Sequence, residues 1–273
     1  MSYDKKHEFT KENIDEYLRA VAKEYRRAAG KGMPAEMILI GGASVLLNYG
    51  FRNMTTDIDA MIRAESVMKD AINKVGDRHG LPSGWLNADF QRTESYSPKL
   101  VQYSKYYKTF ANILTIRTVS AEYLIAMKLK SARLYKNDIS DIIGILMEHH
   151  NAGNALTMEQ VKKAAEDLYG GWEAIPEESR QTIREAFDNG DYEGLYQEAR
   201  ENEFFTRQRL LRFEKDYPGV VTESNVNDII AKFGKGEESG SGNVQESPSL
   251  MEKLRKNPEI VKEREEKKEL SNG

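Results

Sequence analysis

The chain has 273 residues, 39% of them hydrophobic and 31% charged, which suits one large or two ordinary soluble domains with a real core. It contains no Cys, which excludes disulfides, thiolate nucleophiles and Cys-ligated zinc, and its four His (His7, His79, His149, His150) show no i, i+4 pair of the kind that holds a metal on a helix. Forty basic against forty-four acidic residues give −4, no coat for nucleic acid. With neither a signal-peptide core nor a run of about 18 apolar residues, the sequence reads as cytoplasmic, with no membrane partner.

Thr10 is placed to cap a helix whose apolar residues Ile14, Leu18, Val21 and Tyr25 recur at helical spacing, with Gly30 and Gly32 to end it. Residues 37–40 predict a short strand that runs into Gly41–Gly42 and a helix over 43–48. Residues 56–62 alternate as a strand, 65–78 are helical, and 111–119, rich in Ile, Thr and Val, are the next strand. Ser120 is placed to cap a long helix through AEYLIAMKLKSARLY, and 137–149 make a second. Beyond Thr157 helices are expected over 158–169, 177–187, 192–201, 204–217 and 225–233. From Gly234 the sequence is highly charged and poor in apolar residues, so it is expected to be disordered, with short helices around 250–254 and after Pro258. The plan is α+β: an N-terminal helix (1–32), an α/β core (33–150), a helical domain (151–233) and a charged tail (234–273).

Charge is uneven along this plan. Residues 91–136 carry nine cations (Arg92, Lys99, Lys105, Lys108, Arg117, Lys128, Lys130, Arg133, Lys136) against Glu94 and Glu122, or +7, which leaves −11 for the rest. Tyr96, Tyr103, Tyr106, Tyr107, Phe110, Tyr123 and Tyr135 are interleaved with them. Cations mixed with aromatics suit phosphates and bases; a solvated face anchored by tyrosines explains the pattern as well.

The chemistry concentrates in ILIGGASVLLNYGFRNMTTDIDAMI, residues 38–62. Gly41 and Gly42 let the backbone approach a bulky anion, the helix that follows offers unpaired N–H groups, and the Ser44 hydroxyl adds a donor. Asp57 and Asp59 sit at i and i+2 of a strand, so both carboxylates project from one face while Ile58 points inward. Adjacent carboxylates repel, and a hard divalent cation relieves that repulsion; Mg²⁺ takes one or two carboxylates plus substrate phosphates. A D-x-D by itself is most often two surface acids, and the glycine turn just before it gives this one its weight. His149–His150 read as cations at a helix end, Trp85 with Asn87 as packing at a pocket rim, and Asp188, Asp191 and Glu193 as an acidic turn rather than a calcium loop.

The order strand, GG with a nearby Ser, helix, then D-x-D resembles the nucleotidyltransferase fold of the DNA polymerase β superfamily. Within it, the sequence most resembles the minimal bacterial nucleotidyltransferases that include the AbiEii-type toxins. Arg52 and Thr55 complete an R-x-x-T-x-D-x-D run, and Lys128, Arg133, Asp138 and Asp141 repeat the family's helix bearing Lys, then Arg five residues later, then a helix opening with paired Asp. The likeness spans roughly residues 33–150. Two features depart from the superfamily pattern: Ala43 separates Gly42 from Ser44, and the strand at 112–119 carries Thr115 and Arg117 where a third acid is usual, which shifts that role to Asp138 or Asp141.

The resemblance implies a small mixed sheet flanked by helices and nucleotidyl transfer from an NTP. Asp57 and Asp59 would hold Mg²⁺ (or Mn²⁺) and act as catalytic residues. Gly41, Gly42 and Ser44, with Arg52, Thr55 and Arg133, would bind the nucleotide. Lys128 would neutralise triphosphate charge, and Asp141 would orient Lys128 or assist the acceptor. The basic, aromatic-rich segment favours RNA such as tRNA as acceptor, with a protein acceptor and a cognate antitoxin as further partners. Transfer to a small molecule, as in antibiotic nucleotidyltransferases, and a degenerate nucleotide-binding module are the alternatives.

Overall fold

The computed structural model describes residues 7–63, 66–222 and 225–233; the expected charged tail and its short helices lie outside the described residues. The described residues divide into two compact units, those up to Met127 with Asp167–Tyr169 and those of Lys128–Glu166 with the described residues from Gly170 onward. The division falls inside a helix, between Met127 and Lys128, whereas the expected boundary lay after residue 150. Among the described residues no helix is long and apolar enough to cross a membrane.

In the first unit, α1 (Lys11–Ala29) starts at the expected cap: Thr10 and Asn13 exchange side chain–backbone hydrogen bonds, and Gly30 at φ 84° ends the helix. Strands β1 (Ala35–Leu39), β2 (Ile58–Arg63), β3 (Leu86–Asn87), β4 (Ser104–Phe110) and β5 (Leu114–Val119) form one mixed sheet in the order β3-β2-β1-β5-β4. β1 is antiparallel to β2 and parallel to β5; β2 and β3 are parallel, and β4 is antiparallel to β5. Between β1 and β2 lies α2 (Gly41–Asn48), and α3 (Ser66–His79) follows β2. Met37, Leu39, Ile58, Ala60 and Ile116 point to one side of the sheet, where they form a single core with Ile14, Leu18 and Val21 of α1 and Met68, Ile72 and Val75 of α3. Each of these Leu, Ile, Val and Met side chains contributes about 1.5–3 kcal/mol on burial. The N-terminal helix is thus part of this core rather than a separate element.

β4 is an edge strand that the sequence pattern concealed. Its register shifts between Tyr106 and Lys108, so period-2 alternation breaks midway. Lys108 then turns to the core side and binds Asp15 of α1 at 2.6 Å, while the Tyr107 hydroxyl donates to the same carboxylate at 3.0 Å. A bulge and lysines on an edge strand oppose pairing with another chain. The aromatic residues around it are mostly structural: Tyr103 stacks on Tyr123 at 4.0 Å, and Trp85 is buried between Phe9 and Tyr17, in the core rather than at a pocket rim.

The helix α4 (Ala121–Ser131) spans the division between units. The second unit continues with α5 (Asp138–Asn151), α6 (Met158–Tyr169), α7 (Glu177–Asn189), α8 (Tyr192–Asp216) and α9 (Val226–Phe233). Thr157 and Gln160 form the capping box of α6, and Gly170 and Gly190 end α6 and α7 in the left-handed region. Two helices were expected at 192–201 and 204–217, but α8 runs unbroken through both. No Gly or Pro lies between Gly194 and Pro218 to stop it, and the polar turn Glu201–Asn202–Glu203 buries Asn202 and Glu203 against other helices.

Candidate active site

The glycine turn and the paired aspartates meet at one end of the sheet. β1 ends opposite the start of β2, with Leu39 in register with Ala60 and the Ile40 amide donating to Asp59 O at 2.9 Å. Gly41 follows at φ 54°, a conformation that costs an L side chain 1–3 kcal/mol, roughly. A Cβ on Gly41 would stand 3.8 Å from Asp59 Oδ2. Gly42 is closed in further: a Cβ there would lie 2.7 Å from Thr55 Oγ1 and 2.8 Å from Arg52 Nη2. Both glycines form the first turn of α2 itself, not a loop ahead of it, so their amides are among those a helix leaves without internal partners.

The D-x-D geometry follows from β2. Ile58 is fully buried, Asp59 is half-buried, and Asp57, one residue before the strand, is exposed. Thr55 Oγ1 lies 3.5 Å from Asp57 Oδ1, and Arg52 Nε donates to Met54 O at 3.1 Å. Thr55 is held from outside its own loop: Phe9 and Thr55 exchange both backbone hydrogen bonds, at 2.8 and 2.9 Å. Gly41, Gly42, Arg52, Thr55, Asp57 and Asp59 therefore come together in the first unit.

Asp57 and Asp59 are hard oxygen donors of the kind that would hold a divalent cation. Asp57 and Asp59 lie beside the Gly41–Gly42 turn, and among the described residues no cluster of three or more His, Cys, Asp or Glu suited to a metal exists. Two protein oxygens with the rest from phosphates and water is the Mg²⁺ pattern.

Ser44 departs from expectation. It is fully buried, and its Oγ accepts from the Val119 amide at 3.0 Å. Asn48 extends the seam, donating to Val119 O at 3.1 Å and accepting from Thr118 Oγ1 at 2.9 Å. Ser44 thus fastens α2 to β5 instead of facing an anion. The third-acid question also changes, because β5 pairs with β1 and not with β2. Arg117 there donates to Ser104 through Nε at 2.8 Å and lies 3.9 Å from Glu36. The strand beside β2 is β3, which sets Asn87 in register with Asp59; that amide is spent on Gly84 O and the Asp89 N–H.

The second unit gathers the downstream motif. Lys128 Nζ lies 2.9 Å from Asp138 Oδ1 and 2.8 Å from Asp141 Oδ2, with all three side chains at most 7% exposed. Asp138 also accepts from Arg133 Nε at 2.9 Å and Nη2 at 3.2 Å, and from Ser131 Oγ at 2.9 Å. Burial opposes the charge on Asp138, but the Lys128 and Arg133 cations outweigh it and hold the carboxyl well below the usual carboxylate range.

Sequence reasoning missed Glu203 of α8, which is buried beside this cluster. Its Oε1 accepts from the Ile139 and Ser140 amides at 3.0 and 3.1 Å, and its Oε2 from Ser140 Oγ at 2.6 Å. Burial pushes Glu203 up to about 8 despite those donors, and the charges of Asp141 and Asp138 add to the rise. Nothing local signals it, since its partners lie 63 and 64 residues earlier.

No curated protein and no solved structure matches the chain. Residues 16–184 match a family described as a nucleotidyltransferase of unknown function (DUF6036), a span that runs from α1 into α7 and takes in the motifs of both units. With well over half of its length matched, this chain belongs to that nucleotidyltransferase family.

Proposed function

We propose that the chain is a Mg²⁺- or Mn²⁺-dependent enzyme that moves a nucleoside monophosphate from an NTP to a hydroxyl of RNA such as tRNA, in the manner of the AbiEii-type toxins it resembles. The observation that carries this is the apposition of the Gly41–Gly42 turn to Asp59, with Asp57 open to solvent. Asp57 and Asp59 would hold the cation, which when bound neutralises triphosphate charge and aligns the α-phosphorus. The α2 amides and the Arg52 guanidinium take the β- and γ-phosphates. The acceptor oxygen attacks the α-phosphorus, the α–β P–O bond breaks, pyrophosphate leaves, and the hydroxyl proton passes to solvent. The resemblance assigns Lys128 to triphosphate charge and Asp141 to holding Lys128; the ion pair at 2.8 Å supports the latter.

RNA is favoured by what β4 and the turn before it leave exposed. Lys99 and Lys105 are exposed and Tyr106 is 62% exposed, whereas Lys108 is occupied by Asp15. β4 begins at the end of the sheet where β1 finishes, since Ser104 pairs with Val119 and Leu39 with Thr118. An exposed ring suits stacking on a base, and exposed lysines nearby in the chain suit phosphates.

Labelled NTPs incubated with Mg²⁺ or Mn²⁺ and total RNA test the proposal. Label in RNA supports it. Label on an antibiotic hydroxyl would select the small-molecule reading, and label remaining on NTP under every metal and acceptor would select a binding module. Changing Lys99 and Lys105 to Ala should lower the log–log salt slope of RNA binding by about 0.7 per lost phosphate contact. Expression of the wild type, but not of Asp59→Asn, should arrest growth, and a cognate antitoxin should relieve it.

A further inference from the structure

The helix α5 opens with acids whose carboxylates do not cap it. Asp138 and Asp141 turn toward Lys128, and Asn137 at the cap position makes no side-chain cap hydrogen bond. The first amides of a helix have no internal acceptor, and burying them unpaired is costly. Glu203 supplies the acceptors from α8, and it does so at one place: Ile139 and Ser140, the two residues between the aspartates that bracket Lys128. Asn137 is of a type that caps such a turn, but its Oδ1 accepts from Arg207 Nη2 at 2.7 Å, and a third carboxyl buried beside two others does the work instead. The structure uses the costlier group, and by it ties the attitude of the turn to α8.

We propose that Glu203 is a positioning residue that clasps the Ile139–Ser140 turn so that Asp138 and Asp141 hold the Lys128 ammonium in one fixed place. Its effect on transfer rests on the assignment of Lys128 to the reaction. The charged groups around the clasp are Asp138 and Asp141 on α5, Lys128 on α4, Arg133 after α4, and Arg200 one turn earlier on α8, whose guanidinium donates to the Tyr196 hydroxyl at 3.2 Å.

The test uses the full chain with Glu203→Ala and with Glu203→Gln, which keeps an acceptor oxygen and the side-chain volume. Amide exchange at Ile139 and Ser140 and the ¹H–¹⁵N signal of the Lys128 ammonium are followed by NMR, with the Gln160 amide of the α6 capping box as control. In Glu203→Ala the two α5 amides should exchange at least about tenfold faster than in the wild type, with Gln160 unchanged, and the Lys128 signal should shift or broaden away. Glu203→Gln should retain both in large part. Faster amide exchange with an unmoved Lys128 signal would reduce Glu203 to a helix cap and overturn the proposal. So would an unmoved pair of amides. If Glu203→Ala does not fold, the same two signals are compared in the wild type and Glu203→Gln across pH 6 to 9, after correction for intrinsic base-catalysed exchange: a response of both signals present in the wild type and absent in Glu203→Gln supports the proposal, and identical responses overturn it. In transfer assays Glu203→Ala should raise the Michaelis constant for NTP as Lys128→Ala does, with a smaller loss of turnover. A displaced Lys128 signal with wild-type transfer in both variants would leave the clasp standing and remove Lys128 from the reaction; no transfer by the wild type would remove the enzymatic reading alone.

Discussion

Asp57 and Asp59 stand at a strand end, one exposed and one half-buried, next to a turn built from two glycines. Asp138, Asp141 and Glu203 are equally close in chemistry, yet each is about 2% exposed, with its oxygens engaged by Lys128, Arg133, Ser131, Ser140 or the α5 amides. The first group stands at least half open to solvent, and the second group is closed off from it, its charges set against one another. Carboxylates of the first kind are the ones a ligand can approach. Those of the second kind hold helices in place and are expensive to disturb.

The contrast makes predictions that separate the two regions. Asp59→Asn, or Asp57→Asn, should lower nucleotidyl transfer at least ~10²-fold while leaving the melting temperature unchanged, because metal clamps supply several kcal/mol in the transition state. Near-wild-type turnover in both variants would remove the first cluster from the reaction. Asp138→Ala should do the reverse to stability, costing about 3–5 kcal/mol in urea unfolding because Lys128 is left buried with half its counter-charge. A loss confined to activity would mean that the buried network is not structural. Gly42→Ala comes next: its methyl meets Thr55 and Arg52, so about 1–3 kcal/mol of stability and a several-fold loss in NTP affinity are expected, measured by thermal melts and titration calorimetry.

A further effect concerns pH. From its ordinary 4.5 up to about 8, folded Glu203 keeps a proton that the unfolded chain has already released. Raising pH through that window therefore favours unfolding, and the stability associated with this group, complete below 4.5, is gone above 8. Asp138 acts in the opposite sense: its lowered pKa gives stability present above the ordinary range and lost in acid. Melting temperatures at pH 5, 6.5 and 8 should decline more steeply for the wild type than for Glu203→Gln. Parallel curves would show that Glu203 titrates alike in both states.

Elements bounded by strong local chemistry were legible. Thr10 with its 3.6-residue apolar stripe marks α1, and Thr157 with Gly170 marks α6 to the residue. The spacing of Asp57 and Asp59 around a buried Ile58, and of Lys128, Arg133, Asp138 and Asp141, identified two groups that the fold does assemble, each within its own unit. What escaped depends on distant partners. β4 hid behind its bulge, and β3 is two residues long and exists only because β2 lies beside it. Ser44 reads as a phosphate ligand until Val119, 75 residues later, is seen to claim its hydroxyl. Glu203 reads as one acid in a polar stretch of α8.

The reach of the Glu203 contact has a consequence in time. Lys128 and Asp138 are ten residues apart and can pair as soon as both emerge from the ribosome, but the Ser140 amide waits 63 residues for its acceptor. At about 5–20 residues per second that interval is roughly 3–13 s. Throughout it the newborn α5 carries a frayed first turn, and chains arrested short of residue 203 should be cut there by added protease while chains arrested well beyond α8 resist.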